Sequence, residues 1–119
     1  MRKAKASEME TILVLYAGIG LLLILVAIPL IRKKIKPNHL YGFRVPQTLN
    51  DPEVWYATNA HAGKRMVAAG SCTTLAAIGF YYVPGITVDT YAWACLVVFA
   101  LVFGMGMVQS WRYMNTLSR

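Results

Sequence analysis

The chain has 119 residues, 57% hydrophobic and 14% charged, against roughly 45–50% and about 25% in ordinary soluble domains. A single domain of this size buries only about two-thirds of the surface its unfolded chain exposes, so this composition argues against a water-soluble globule and for lipid as the solvent. The net charge of +7 gathers beside apolar runs, at Arg32, Lys33, Lys34, Lys36, Lys64 and Arg65, where cations fix orientation and meet anionic headgroups; the chain carries no nucleic-acid-binding module, and no direct contact with nucleic acid is expected.

Residues 11–31 form an apolar run without a charge, and about 20 such residues cross a bilayer core. A cleaved signal peptide has an apolar region of only about 7–15 residues and then a small-residue cleavage site. This run is longer and ends on Ile28, Pro29, Leu30 and Ile31 followed by Arg32, Lys33 and Lys34, a stop signal. It is expected to stay in the membrane as an anchor, with Pro29 bending only its last turn.

A long polar connection follows. Pro37 disfavours helix at Lys36 and ends the basic run. Gly42, between Tyr41 and Phe43, predicts a backbone turn that a side chain would obstruct. The two aromatics are expected at headgroup depth or packed on the helix ends. Arg44 offers a planar fork able to grip a phosphate or carboxylate through two bonds. Its candidate partners are a lipid phosphate, helix C-terminal carbonyls, Asp51, Glu53 or a ligand.

Asn50, Asp51, Pro52 and Glu53 read as a helix start. Asn50 or Asp51 caps, proline suits the first position, and Glu53 complements the positive end of the dipole. A helix from there carries Trp55, Asn59, Ala62 and Met66 on one face. Continued straight to residue 83 it would reach roughly 48 Å, beyond a core of about 30 Å. The expected form is therefore a short amphipathic helix on the membrane surface, bending at Gly63 into a second span.

That span is residues 66–83. Ala69, Thr73 and Ala77 recur every four residues, and small residues let helix backbones approach closely in lipid. This face is expected to meet the chain's own helices, or failing that a second copy in a homo-oligomer. Pro84 and Gly85 break the helix, and Asp89 or Thr90 is expected to cap the next. The third span is residues 91–110, with Trp93 near one end and Trp111 and Tyr113 at the other, as in an interfacial aromatic belt. Gly104 and Gly106 mark a second place of close approach.

Nine basic residues (Arg32, Lys33, Lys34, Lys36, Arg44, Lys64, Arg65, Arg112 and Arg119) fall on one side of three spans and three (Arg2, Lys3 and Lys5) on the other. The excess predicts a cytoplasmic connection and an external N-terminus. Cys72 and Cys95 would differ in depth by roughly 9 Å along antiparallel helices, too far for a bridge, and read as small apolar packing residues. His39 and His61 with distant carboxylates are too sparse for a metal set. With no nucleophile–base pair and no glycine-rich phosphate loop, neither catalysis nor a cofactor is expected. A transporter or channel is disfavoured because no charge lies inside the spans.

The predicted protein is thus all-α, one integral membrane domain over residues 1–119. It has three transmembrane helices at about 11–31, 66–83 and 91–110 and a structured cytoplasmic loop at 38–63 that includes the short amphipathic helix.

The order Asn38, Tyr41, Gly42, Phe43, Arg44, Pro46, Thr48, Leu49, Trp55, Asn59 and Gly63 resembles the SdpI family of bacterial membrane immunity proteins. Its members carry Y/I-G-x-R-T-P-x-T-L, then W, then N or H four residues on, then G. The resemblance implies a multi-pass protein of the bacterial inner membrane that protects against a secreted, membrane-active peptide toxin. It also implies that such a protein can hold a small helix-turn-helix repressor at the membrane. Carried onto this chain, Tyr41, Gly42, Phe43, Arg44, Pro46, Thr48, Leu49, Trp55, Asn59 and Gly63 are the expected partner-binding residues. Val45 stands where the family usually has threonine, and Ala60 where it often has a basic residue. The chain corresponds to the motif-bearing half of the longer immunity members. The expected role is immunity or tethering of a regulatory partner; the alternative is a small accessory or homo-oligomeric subunit of a larger membrane complex.

Overall fold

The computed structural model describes residues 2–38 and 40–117. Three helices of 30 residues each, α1 (Arg2–Ile31), α3 (Pro52–Tyr81) and α4 (Val88–Leu117), are joined by a polar elbow holding the single helical turn α2 (Pro46–Leu49) and by one tight turn. No strand occurs among the described residues. A 30-residue helix is about 45 Å long, and the molecule measures 57 × 22 × 19 Å. The three helices therefore run side by side along its length. α3 lies in the middle and packs along both neighbours, whereas α1 and α4 touch each other little.

Local chemistry sets the ends. The C-terminus of α1 closes in a Schellman motif: Lys34 N–H donates to Pro29 O at 3.0 Å and Lys33 N–H to Leu30 O at 3.2 Å. Lys33 takes the left-handed conformation (φ 59°) that this motif usually assigns to glycine. Asp51 caps α3, its carboxylate accepting from Glu53 N–H at 3.0 Å, with Pro52 in the first turn as expected. After the turn at Pro84 and Gly85, α4 is capped by Thr87 rather than by Asp89 or Thr90. The Thr87 hydroxyl accepts from Thr90 N–H at 3.1 Å, and Asp89 falls in the first turn, where its charge faces the positive helix end.

Glycine decides how closely α1 and α3 approach. Gly20 and Gly70 face each other with no room for a side chain, since a Cβ on either would strike the other's backbone carbonyl. Gly63 belongs to the same interface: a Cβ there would lie 2.8 Å from Ile31 Cγ1 and 3.0 Å from Ala27 O. The expected bend at Gly63 and the separate surface helix are thus corrected. α3 is unbroken from Pro52 to Tyr81 because the missing side chain at Gly63 admits α1 instead of releasing the backbone. Its first half is not a surface helix either; Val54, Trp55, Thr58, Asn59, Ala60 and Ala62 are buried, covered by the chain itself. On the α4 side, Gly106 fits against Arg65 Cβ, while Gly104 has open space around it.

Among the described residues two helices are long and apolar enough to cross a membrane: Ser7–Ile31, with mean hydropathy 2.8, and Val88–Leu117, with 2.2. Their outer faces are exposed, as at Val14 (71%), Leu22, Leu25, Leu101 and Met105, an arrangement that lipid stabilises and water does not. α3 carries Glu53, His61, Lys64 and Arg65 before its apolar half and is held between the other two. Ala69, Thr73 and Ala77 are all fully buried, and Tyr91 donates its hydroxyl proton to Ala77 O at 2.5 Å. The small-residue face is occupied within the chain, so a second copy has no access to it. At that end Met9, Ala77, Tyr91 and Cys95 form a shared core of the three helices. Cys72 is exposed, and both thiols are free.

Candidate functional site: an elbow latched onto the central helix

The elbow begins with Asn38, whose side-chain oxygen accepts from Leu40 N–H (2.8 Å) and Tyr41 N–H (2.7 Å) while its amide donates to Lys36 O (2.7 Å). This local turn delivers the chain to Gly42, at φ 110°, a region open to glycine and almost closed to other residues. A Cβ on Gly42 would lie 2.7 Å from Asn59 Oδ1 and 3.2 Å from Trp55 Cη2. The backbone here lies directly on α3.

Asn59 holds it there. Its side chain is buried, 1% exposed. Its oxygen accepts from Phe43 N–H, and its amide donates to Trp55 O at 3.0 Å and, at greater length, to Phe43 O at 3.4 Å. The side-chain amide thus supplies the donor and acceptor that a neighbouring strand would otherwise provide. Thr48, fully buried on α2, accepts from Val45 N–H at 3.0 Å, and its hydroxyl lies 2.8 Å from Phe43 O and 2.9 Å from Val45 O. Trp55, also fully buried, donates from Nε1 to Ile35 O at 2.7 Å and ties the end of the basic run to α3.

Beneath the elbow, between α1 and α4, lies a cavity of about 370 Å³, walled by Val26, Leu30, Met66, Phe103 and Met107. Tyr41, Gly42, Phe43 and Asn59 form its polar end. A volume of this size with apolar walls and a few convergent polar groups is that of a ligand pocket. Phe43 also meets Trp111 of α4, with ring centroids 6.3 Å apart. Burial holds the Tyr41 phenol above its usual pKa.

The structure therefore brings Tyr41, Gly42, Phe43, Thr48, Trp55 and Asn59 together. Pro46 and Leu49 frame the α2 turn that presents Thr48. Arg44 is exposed beside the elbow, and Gly63 lies outside it, in the α1 interface. The cavity walls were not legible beforehand: Val26, Leu30, Phe103 and Met107 are ordinary apolar residues until three helices set them around one space. His39 lies outside the described residues, and among those described no group of three His, Cys, Asp or Glu could hold a metal.

His61 sits on the other face of α3. Its Nδ1 is 3.0 Å from Ser110 Oγ, and its ring stacks on Tyr113 at 4.6 Å and 11°. Burial, then Arg65 and Lys64, hold its pKa below the ordinary value. The folded state thus resists protonation that the unfolded chain accepts. The stabilising contribution is complete above about pH 6.5, the ordinary histidine value, and declines as the pH falls below it. Melting temperature in detergent is expected to drop on acidification from pH 7 to pH 5, by less in His61→Gln. Identical pH profiles for the two proteins would contradict this assignment.

Three long helices packed side by side, two of them with apolar stretches long enough to cross a membrane, and a polar elbow hydrogen-bonded onto the third are the features of a small helical membrane protein. Residues 34–110 match the SdpI/YfhL protein family. The match spans well over half of the chain, and the protein belongs to that family. No curated protein and no solved structure matches it.

Proposed function

We propose that this SdpI-family protein crosses the bacterial cytoplasmic membrane three times, with α3 as the middle span, the elbow in the cytoplasm and the N-terminus outside. In this reading it is not an enzyme. It binds a membrane-active peptide, giving immunity to that peptide, or holds a regulatory protein of the helix-turn-helix type at the membrane. The observation that carries the reading is the apolar cavity between α1 and α4, closed at one end by the latched elbow. It offers room for apolar side chains of a peptide arriving through the bilayer, with Tyr41 and Asn59 at its polar end. The excess of basic residues near the elbow supports the orientation.

Arg44 is the electrostatic anchor of this reading, exposed next to the cavity's polar end. Arg44→Ala is expected to abolish protection of cells challenged with the peptide, or retention of the regulator at the membrane. Membrane insertion and expression should stay unchanged. Full protection by the variant at normal expression would overturn the assignment. The accessory-subunit alternative predicts a stoichiometric partner on native mass measurement after detergent extraction. A homo-oligomer through Ala69, Thr73 and Ala77 is not part of the proposal, because the chain itself fills that face.

A further inference from the structure

Positions 57, 60, 61 and 64 share the face of α3 opposite to that of 59, 62 and 66. On that face a second cavity, of about 420 Å³, is lined by Lys33, His61, Lys64 and Tyr113, with Ile31 and Ala60 among its apolar walls. Its groups come from the end of α1, from α3 and from α4. No carboxylate lines it; the adjoining cleft holds Glu53, on the other side of Lys33. Neither Lys33 nor Lys64 forms an ion pair among the described residues.

Two details indicate a built site. Lys33, left-handed at φ 59°, is the closing residue of the α1 Schellman motif, and those two backbone bonds fix where its side chain departs. His61 is fixed by Ser110 and by the stacked Tyr113 ring. The 3.0 Å contact engages Nδ1 of the ring with the Ser110 hydroxyl and leaves Nε2 as the ring nitrogen available to a ligand.

We propose that this cavity binds a phosphate group, its oxygens accepting from the Lys33 and Lys64 ammonium groups, the His61 imidazole and the Tyr113 phenol. Charge-assisted bonds of this type are the short, strong ones. The site lies beside Met66, where the apolar half of α3 begins. On the three-span reading, on which the choice of source rests, the phosphate is that of an anionic phospholipid at the inner boundary. Free inorganic phosphate carries the same chemistry.

The test uses the full chain with labelled histidine in nanodiscs, following the His61 NMR titration, assigned with His61→Gln, at constant ionic strength. One arm compares phosphatidylglycerol with phosphatidylcholine discs. The other adds inorganic phosphate, against chloride, to phosphatidylcholine discs. A bound phosphate opposes the local positive field of Arg65 and Lys64, so the midpoint is expected to rise by about one pH unit in at least one arm. Lys64→Gln should remove the rise. So should Lys33→Gly, which relieves the backbone and keeps the fold. A rise with phosphatidylglycerol establishes the lipid source. A rise with inorganic phosphate alone keeps the site and counts against its placement at the bilayer. No rise in either arm, or an undiminished rise in both lysine variants, overturns the proposal.

Discussion

Trp55→Ala is expected to lower stability by about 3–5 kcal/mol, the range for emptying a fully buried large aromatic site. The ring is completely enclosed, and its Nε1 proton is the bond that holds Ile35 O against α3. Two losses follow from one substitution: a void under the elbow, and a partly buried carbonyl without its donor. Trp55→Phe separates them, since it keeps most of the ring and removes the proton; the expected cost is about 1–3 kcal/mol for the orphaned carbonyl. Thermal unfolding in detergent measures the totals, and limited proteolysis locates them. Cleavage between residues 34 and 50 should accelerate in both variants and most in Trp55→Ala. An elbow as resistant as the wild type's would mean that Trp55 does not latch it.

Gly42→Ala should be nearly as damaging, although it adds only one methyl group. The backbone at φ 110° disfavours any side chain, at a cost of about 1–3 kcal/mol. The methyl would also sit 2.7 Å from Asn59 Oδ1, so the amide must swing away from Phe43. Releasing those buried polar groups costs about 1–3 kcal/mol more. Because the second part is the loss of Asn59's own bonds, Gly42→Ala and Asn59→Ala should not add. A double-mutant cycle is expected to show the pair costing less than the sum of the single changes, by about 1 kcal/mol or more. Strict additivity would show that Gly42 and Asn59 act separately.

Much of this was legible in the sequence because it depends on neighbours along the chain. The apolar runs, the Asp51 cap, the turn at Gly42 and the shared face of Trp55 and Asn59 all follow from spacing, and the order of elbow residues carried the family resemblance that the match over residues 34–110 bears out. The errors arose where the partner is distant. A glycine that bends a helix and one that admits a neighbouring helix look alike in one dimension, which is why Gly63 was misplaced. The first turns of a straight α3 need neither lipid nor water as cover, because the elbow covers them. Thr87, Asp89 and Thr90 are all capping residue types, and only the geometry selects Thr87. The cationic cavity needs three helices to assemble, so in sequence Lys33 reads only as one of several basic residues beside an apolar run.

The central position of α3 has a kinetic corollary. α1 and α4 are self-sufficient hydrophobic rods that a bilayer accepts one at a time. α3 is not among the helices apolar enough to cross by themselves, and His61 and Arg65 on it find their side-chain partners, Ser110 and Gln109, on α4. It gains a hospitable environment only once both flanking rods are in place, and it is also the post to which the connection fastens. Packing of α3 is therefore complete only when α4 is present, and a chain interrupted before α4 is synthesised would leave those two side chains without their partners.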